Sequence, residues 1–260
     1  MEEKKAGKGG LFIVGIGVSD EQSLPLAGIA ALKGCGRIFA ESYTNLLPEG
    51  TLQRIESLIG RKIELLSREQ VEGEKLLLVS AQSQPTALLV AGDPMIATTH
   101  VSLLLAAKKK GIPVKMLHAS SVISAAISES GLQAYKFGKT TTLAYWRENY
   151  KPLSAYDVVA ENLSRNAHTL LLLDIDEALG PMKPSVAAKT LLEMESSAKK
   201  GIFTKDKKIV LLSALGREGQ NVRYCPLLDI TEGKMDGSSP SVFVVLAKLH
   251  FLEEEFLQSL

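Results

Sequence analysis

Apolar and polar positions alternate along the first half of the chain in blocks of two kinds. Short apolar runs at residues 11–16, 37–40, 87–91 and 113–117 predict strands, and the amphipathic stretches between them predict helices. Unbroken runs of this length suit strands buried on both faces, as in a parallel sheet covered by helices. The punctuation agrees. Ser23 stands as the N-cap of a helix running to about Lys33, with Pro25 in its first turn, and Gly34 and Gly36 stop it. Thr51 caps a helix ended by Gly60, and Ser67 with Gln70 makes a capping-box pattern before a further helix. The clearest βαβ unit is the strand 87–91, a tight Gly92-Asp93-Pro94 loop, a helix over 100–110 capped by Thr98 and Thr99 and closed by Gly111, and a returning strand at 113–117.

Beyond His118 the pattern continues with a different flavour. Ser120 or Ser121 opens a helix that ends at Gly131, and the Thr- and aromatic-rich segment 139–145 predicts a more exposed strand. Ser154 and Asp157 start a helix to about Asn166. Strands follow at 169–175, 208–214 and 241–249, with a long helix over 185–199 between the first two. The expected fold class is therefore α/β: a flexible tail over 1–10, an N-terminal α/β domain over 11–118 with the Gly-Asp-Pro loop and a mainly parallel sheet, and a C-terminal α/β domain over 119–260.

Composition narrows the field. The 260 residues are 45% hydrophobic and 23% charged, enough for a proper core, and 30 basic side chains against 29 acidic ones leave a net charge of +1. That balance, with no Lys/Arg stripe, argues against a nucleic-acid partner. Residues 108–110, three lysines, read as the last turn of a helix, where cations favour the helix dipole. Lys136, Lys139 and Arg147 read most plainly as solvated surface. Two distant cysteines, Cys35 and Cys225, fit a reducing cytoplasm, and no apolar run approaches the about 18–20 residues of a membrane span.

Ligands of open α/β sheets collect beyond the carboxyl ends of the strands, which selects four loops: 15–21, 92–99, 119–122 and the residues around 173–176. The first invites a dinucleotide reading, since Gly15-x-Gly17 follows a strand and Glu41 ends the next strand, near where a ribose-binding acid lies. Its third glycine is missing; Asp20 stands there, and an acid repels phosphate. In the second loop Asp93 likewise disfavours phosphate and suits hydroxyls, amides or a cation, against the plainer reading in which it closes a turn. None of His100, His118, His168 and His250 forms a metal-ligand spacing; His100 and His168 read as capping or packing groups. No nucleophile-and-base constellation is visible. Methyl transfer from a sulfonium needs none, because the donor already holds a good leaving group.

Several segments together resemble the diphthine synthase family, in its archaeal form, within the tetrapyrrole-methylase-like methyltransferases. They are LFIVGIGVSDEQSLPLAGIAALKGCGRIFAESYT, GDPMIATTH, HASSVISAAISESGLQAYKFGKTTT, ENYKP, NAHTLLLLDID and the final KLH, spread over residues 11–250. The resemblance implies a cytoplasmic homodimer of two-domain α/β subunits that binds S-adenosylmethionine in the cleft between domains, releases S-adenosylhomocysteine and uses no metal. It implies successive N-methylation of the 3-amino-3-carboxypropyl group on a modified histidine of translation elongation factor 2. Carried over by position, the cofactor contacts are Val18, Asp93, Ile96, Ser121, Val122, Leu173, Leu215 and Ser241; no catalytic base is singled out. Two stretches depart from the family pattern: residues 213–216 read SALG where ARAG is usual, and Ser241 stands where a histidine usually begins the last strand. A side-chain contact at 241 is therefore not the family's. The alternatives are a methylase of the same superfamily acting on a tetrapyrrole or on ribosomal RNA, and a cofactor-binding module without catalysis.

Overall fold

The computed structural model describes residues 9–41, 47–236 and 239–260. The expected tail over 1–10 falls outside them except for Gly9 and Gly10, and so does most of the AESYT motif. The chain divides into two compact units, the first reaching to Val122 and the second running Ile123–Leu260. The strands of the first unit are β1 (Gly10–Gly15), β2 (Arg37–Glu41), β3 (Glu64–Leu66), β4 (Pro85–Val90) and β5 (Val114–Leu117). Its helices are α1 (Leu26–Gly34), α2 (Thr51–Ile59), α3 (Arg68–Glu72), α4 (Lys75–Ser83) and α5 (Val101–Lys109).

The first unit's sheet has the order β3-β2-β4-β1-β5 and every described pairing in it is parallel. Its strands are apolar throughout because both faces are covered. Ile13, Leu88 and Val90 pack on one side with Leu77 and Leu103, while Val14, Ala87 and Leu89 pack on the other with Leu32 and Ile55. Successive strand residues point to opposite faces, so a run without polar breaks is what two helical layers demand. Each fully buried Leu or Ile here stabilises the fold by about 1.5–3 kcal/mol.

The second unit contains α6 (Val122–Glu129), whose first residue closes the first unit, then β6 (Thr141–Leu143), α7 (Ser154–Ser164), β7 (Thr169–Leu173), β8 (Ile175–Asp176), β9 (Gly180–Pro181) and α8 (Pro184–Ala198). It ends with β10 (Lys208–Ser213), β11 (Asn221–Pro226), α9 (Leu227–Thr231), β12 (Ser241–Val245) and α10 (Phe251–Gln258). Its main sheet runs β11-β10-β12-β7-β6. Unlike the first unit's sheet, this one is mostly antiparallel. Only β6 and β7 pair in parallel, whereas β10 is antiparallel to β11 and β12, and β12 is antiparallel to β7. An apolar run reports burial and says nothing of direction. The short link from β10 to β11 is one that only antiparallel neighbours can use.

Several caps also differ from expectation. Ser23 lies in a single 3-10 turn capped by Asp20, and α1 begins after Pro25, which occupies its N-cap. Gly50 rather than Thr51 stands at the N-cap of α2. His100 precedes α5 in place of Thr98 or Thr99, and its side chain makes no cap hydrogen bond. The Ser67–Gln70 capping box is present in full. Among the described residues no helix is long and apolar enough to cross a membrane.

Candidate functional site

Three loops meet at the carboxyl edge of the first unit's sheet: residues 15–19 after β1, 91–100 after β4 and 118–121 after β5. Gly17 and Gly92 exchange both backbone hydrogen bonds, at 3.1 and 2.9 Å, and so pin the first loop to the second. Gly17 has φ +101°, and a Cβ there would lie 2.5 Å from the Cβ of Ser23, so no other residue fits. The third loop joins through the Val18 backbone N–H, which donates to Ser120 Oγ at 3.3 Å. Gly92, at φ +76°, differs from Gly17 in that a Cβ there would meet nothing within 4 Å. The backbone beside Asp93 therefore faces open space.

Asp93 is buried, and its carboxylate organises this edge. Oδ1 accepts from the Met95 backbone N–H at 3.0 Å, closing a turn. Oδ2 accepts from His118 Nδ1 at 2.8 Å and from the Ala119 backbone N–H at 3.3 Å. A carboxylate has about four lone-pair sites, so three partners leave one on Oδ1. Ile96 is partly exposed beside it, Ser121 is buried, and Val18 and Val122 are half-buried. Four of these five residues, all expected from the sequence, stand on the three adjoining loops, and Val122 opens α6 directly after the third.

Beneath the loop lies a buried ion pair that sequence reasoning did not anticipate. Glu41 does not face a ribose: its carboxylate is enclosed, with Oε2 3.0 Å from His100 Nε2. The other ring nitrogen, Nδ1, donates to the Pro94 carbonyl at 2.7 Å, and Thr98 Oγ1 donates to the same oxygen at 3.0 Å. A carbonyl only accepts, so Nδ1 holds a proton, and the carboxylate at Nε2 favours a second. Burial alone would lower the His100 pKa, but Glu41 and the Pro94 carbonyl outweigh it and raise it. His100 thus fixes the residue after Asp93. No local signal marks the pair, because its members are 59 residues apart. Asp20, the acid in place of a third glycine, accepts from the Gln22 backbone N–H at 3.0 Å and so caps its own turn.

The other expected residues gather at one edge of the second unit's sheet. Ser241 begins β12 opposite Ser213, the last residue of β10, and their hydroxyls are 2.8 Å apart. The β7–β12 register pairs Leu172 with Val242, which sets Leu173 beside Ser241. Leu215 follows the turn at Ala214, whose N–H donates to the Pro240 carbonyl at 2.9 Å. All three expected residues are buried. Next to Leu173, Asp174 accepts from the Tyr145 backbone N–H at 3.0 Å. Of the three cations read as solvated surface, Lys139 and Arg147 are exposed, in ion pairs with Glu161 and Asp176, whereas Lys136 is mostly buried against Glu253.

Residues 10–231 match the family of tetrapyrrole (corrin/porphyrin) methylases. The chain is 40% identical over 255 residues to the diphthine synthase of Methanocaldococcus jannaschii, covering 96% of this chain and 98% of that one. It is 36% identical to the diphthine methyl ester synthase of Schizosaccharomyces pombe, covering 95% and 93%. A crystal structure of diphthine synthase superposes with a TM-score of 0.86 at 31% identity, covering 96% of this chain and 94% of that one. An apolar parallel sheet with a Gly-Asp-Pro loop at its carboxyl edge, and likeness over nearly the whole length, place the chain among the S-adenosylmethionine-dependent methyltransferases of the tetrapyrrole methylase family and, within them, in the diphthine synthase family.

Proposed function

We propose that this protein N-methylates the 3-amino-3-carboxypropyl group on a modified histidine of translation elongation factor 2, in diphthamide biosynthesis, acting as a cytoplasmic homodimer without a metal. The observation that supports it most is the 40% identity to a diphthine synthase across both chains' lengths.

The loop chemistry fits S-adenosylmethionine as methyl donor. The open backbone at Gly92 leaves room for a ligand, and the unfilled lone pair of Asp93 suits a ribose hydroxyl or an ammonium while disfavouring phosphate. When bound, the donor supplies a methyl group on a sulfonium and leaves as the neutral thioether S-adenosylhomocysteine. In our assignment Asp93 holds a polar group of the donor. Val18, Ile96, Ser121 and Val122 of the first unit, and Leu173, Leu215 and Ser241 of the second, supply mostly apolar walls that exclude water and hold the reactants in line.

The test is mass spectrometry of elongation factor 2 bearing the unmethylated 3-amino-3-carboxypropyl histidine, incubated with the protein and S-adenosylmethionine. Stepwise methyl additions confined to that residue support the reading. No gain, with donor binding shown in parallel, points to a tetrapyrrole or RNA acceptor. The relative named diphthine methyl ester synthase favours a second product, in which a carboxylate is also esterified. Mild base removes an ester methyl as methanol and leaves N-methyl groups in place, which separates the two products.

A further inference from the structure

An amine acceptor poses a proton problem that the donor does not solve. At neutral pH an alkylamine is an ammonium ion with no lone pair to attack carbon. Each methyl transfer, moreover, returns a new ammonium until the nitrogen is fully substituted. Some group must take a proton before every transfer.

The three adjoining loops of the first unit, residues 15–19, 91–100 and 118–121, bring three titratable side chains: Asp93, His100 and His118. His100 is buried and occupied at both nitrogens. His118 is arranged differently. Its Nδ1 lies 2.8 Å from Asp93 Oδ2, while its side chain is 65% exposed and that of Asp93 only 8%. An ionised carboxylate only accepts, so the neutral imidazole places its proton on Nδ1. The lone pair is thereby assigned to Nε2. Asp93 is itself held by the Met95 and Ala119 N–H groups, so the ring is oriented by a fixed carboxylate. A carboxylate that fixes the tautomer of an exposed histidine is the geometry of a general base.

Resting on the function proposed above, we propose that His118 is the general base of the reaction, with Asp93 as its positioning residue. The Nε2 lone pair forms a bond to a proton of the acceptor ammonium, and the N–H pair stays on the acceptor nitrogen. That pair then forms the bond to the methyl carbon as the carbon–sulfur pair leaves with sulfur. His118 passes its proton to water before the next cycle, so each transfer to a protonated amine releases one proton to solvent.

The experiment compares wild type with His118→Asn, whose amide still donates to Asp93 but cannot take a proton, and with His118→Ala. S-adenosylmethionine affinity is measured by calorimetry, and single-turnover methylation is followed against pH. The expected result is unchanged affinity in His118→Asn, a rate lower by on the order of 10²–10⁴-fold, and a pH–rate profile that differs from wild type. Added imidazole restores part of the His118→Ala rate. A second readout is independent of turnover: nitrogen NMR of the His118 ring shows the Nδ1-protonated tautomer in wild type and a redistribution in Asp93→Asn. A His118→Asn rate and pH profile equal to wild type overturns the assignment alone. So does a loss of rate matched by loss of donor affinity, or an Nε2-protonated tautomer in wild type. Wild-type protein that binds the donor and leaves the acceptor unmethylated overturns the function reading, and the assignment with it.

Discussion

At the scale of single residues, the Glu41–His100 pair shows how a buried charge is used to fix a loop. Its desolvation is offset by a carboxylate at Nε2 and a carbonyl at Nδ1, so removing one partner strands the other. Because the folded pKa of His100 is raised above its ordinary 6.5, the pair's contribution is complete below that value and is lost as pH rises through the folded pKa. Glu41→Gln should therefore destabilise the protein by on the order of 3 kcal/mol in mildly acidic solution and by less in alkaline solution. Urea unfolding at both pH values checks this; an equal loss at the two would mean that His100 is neutral in the folded state. The pair was not legible in the sequence, since neither residue carries a local mark of the other. The turn that Asp93 closes was legible, because a Gly-Asp-Pro segment after a strand and before a helix is a local signal.

At the scale of elements, the apolar runs of the first sheet were read well, helix caps unevenly and long-range signals poorly. The Ser67–Gln70 box and the parallel strands of the first unit follow from neighbours in sequence. The directions of β10 and β12, and strands β3 and β11, do not: Glu64–Leu66 is too short and Asn221–Pro226 too polar to stand out. Helix α10 was also missed, and it is anchored by one buried side chain. Glu253 accepts from the His250 and Gln133 backbone N–H groups at 2.7 and 3.0 Å and pairs with Lys136 and His168. Burial opposes its ionisation, but the His250 N–H, Lys136 and the Gln133 N–H overcome it and lower its pKa to about 2. A depressed carboxylate stabilises the fold above its ordinary pKa, and that stability fades as pH falls from 4.5 towards 2. Glu253→Gln should cost about 3 kcal/mol at neutral pH, at roughly 1.4 kcal/mol per pKa unit, and little near pH 2. Hydrogen exchange should show the loss first in residues 251–258; uniform loss across the second unit would mean that Glu253 supports the core rather than the helix.

At the scale of the whole molecule, the proposed cofactor contacts fall into two sets, one on the loops of the first unit and one at the sheet edge of the second. A ligand that binds only the folded chain stabilises it by about 2.7 kcal/mol when present at a hundred times its dissociation constant. If S-adenosylmethionine touches both sets, its addition should slow hydrogen exchange around residues 15–18, 92–96 and 119–122 and also around 173–174, 213–216 and 239–241. Protection confined to the first group would remove Leu173, Leu215 and Ser241 from the cofactor assignment and leave Asp93 in it. Asp93→Ala separates the remaining possibilities. It deletes a carboxylate that has one acceptor site open, so it should weaken donor binding by about 1.5–3 kcal/mol, the scale of a hydrogen bond to a charged group. Unchanged affinity by calorimetry would mean that Asp93 acts only on its own loop and on His118. In that case the donor is held by backbone groups and apolar walls, and the acid serves proton transfer alone.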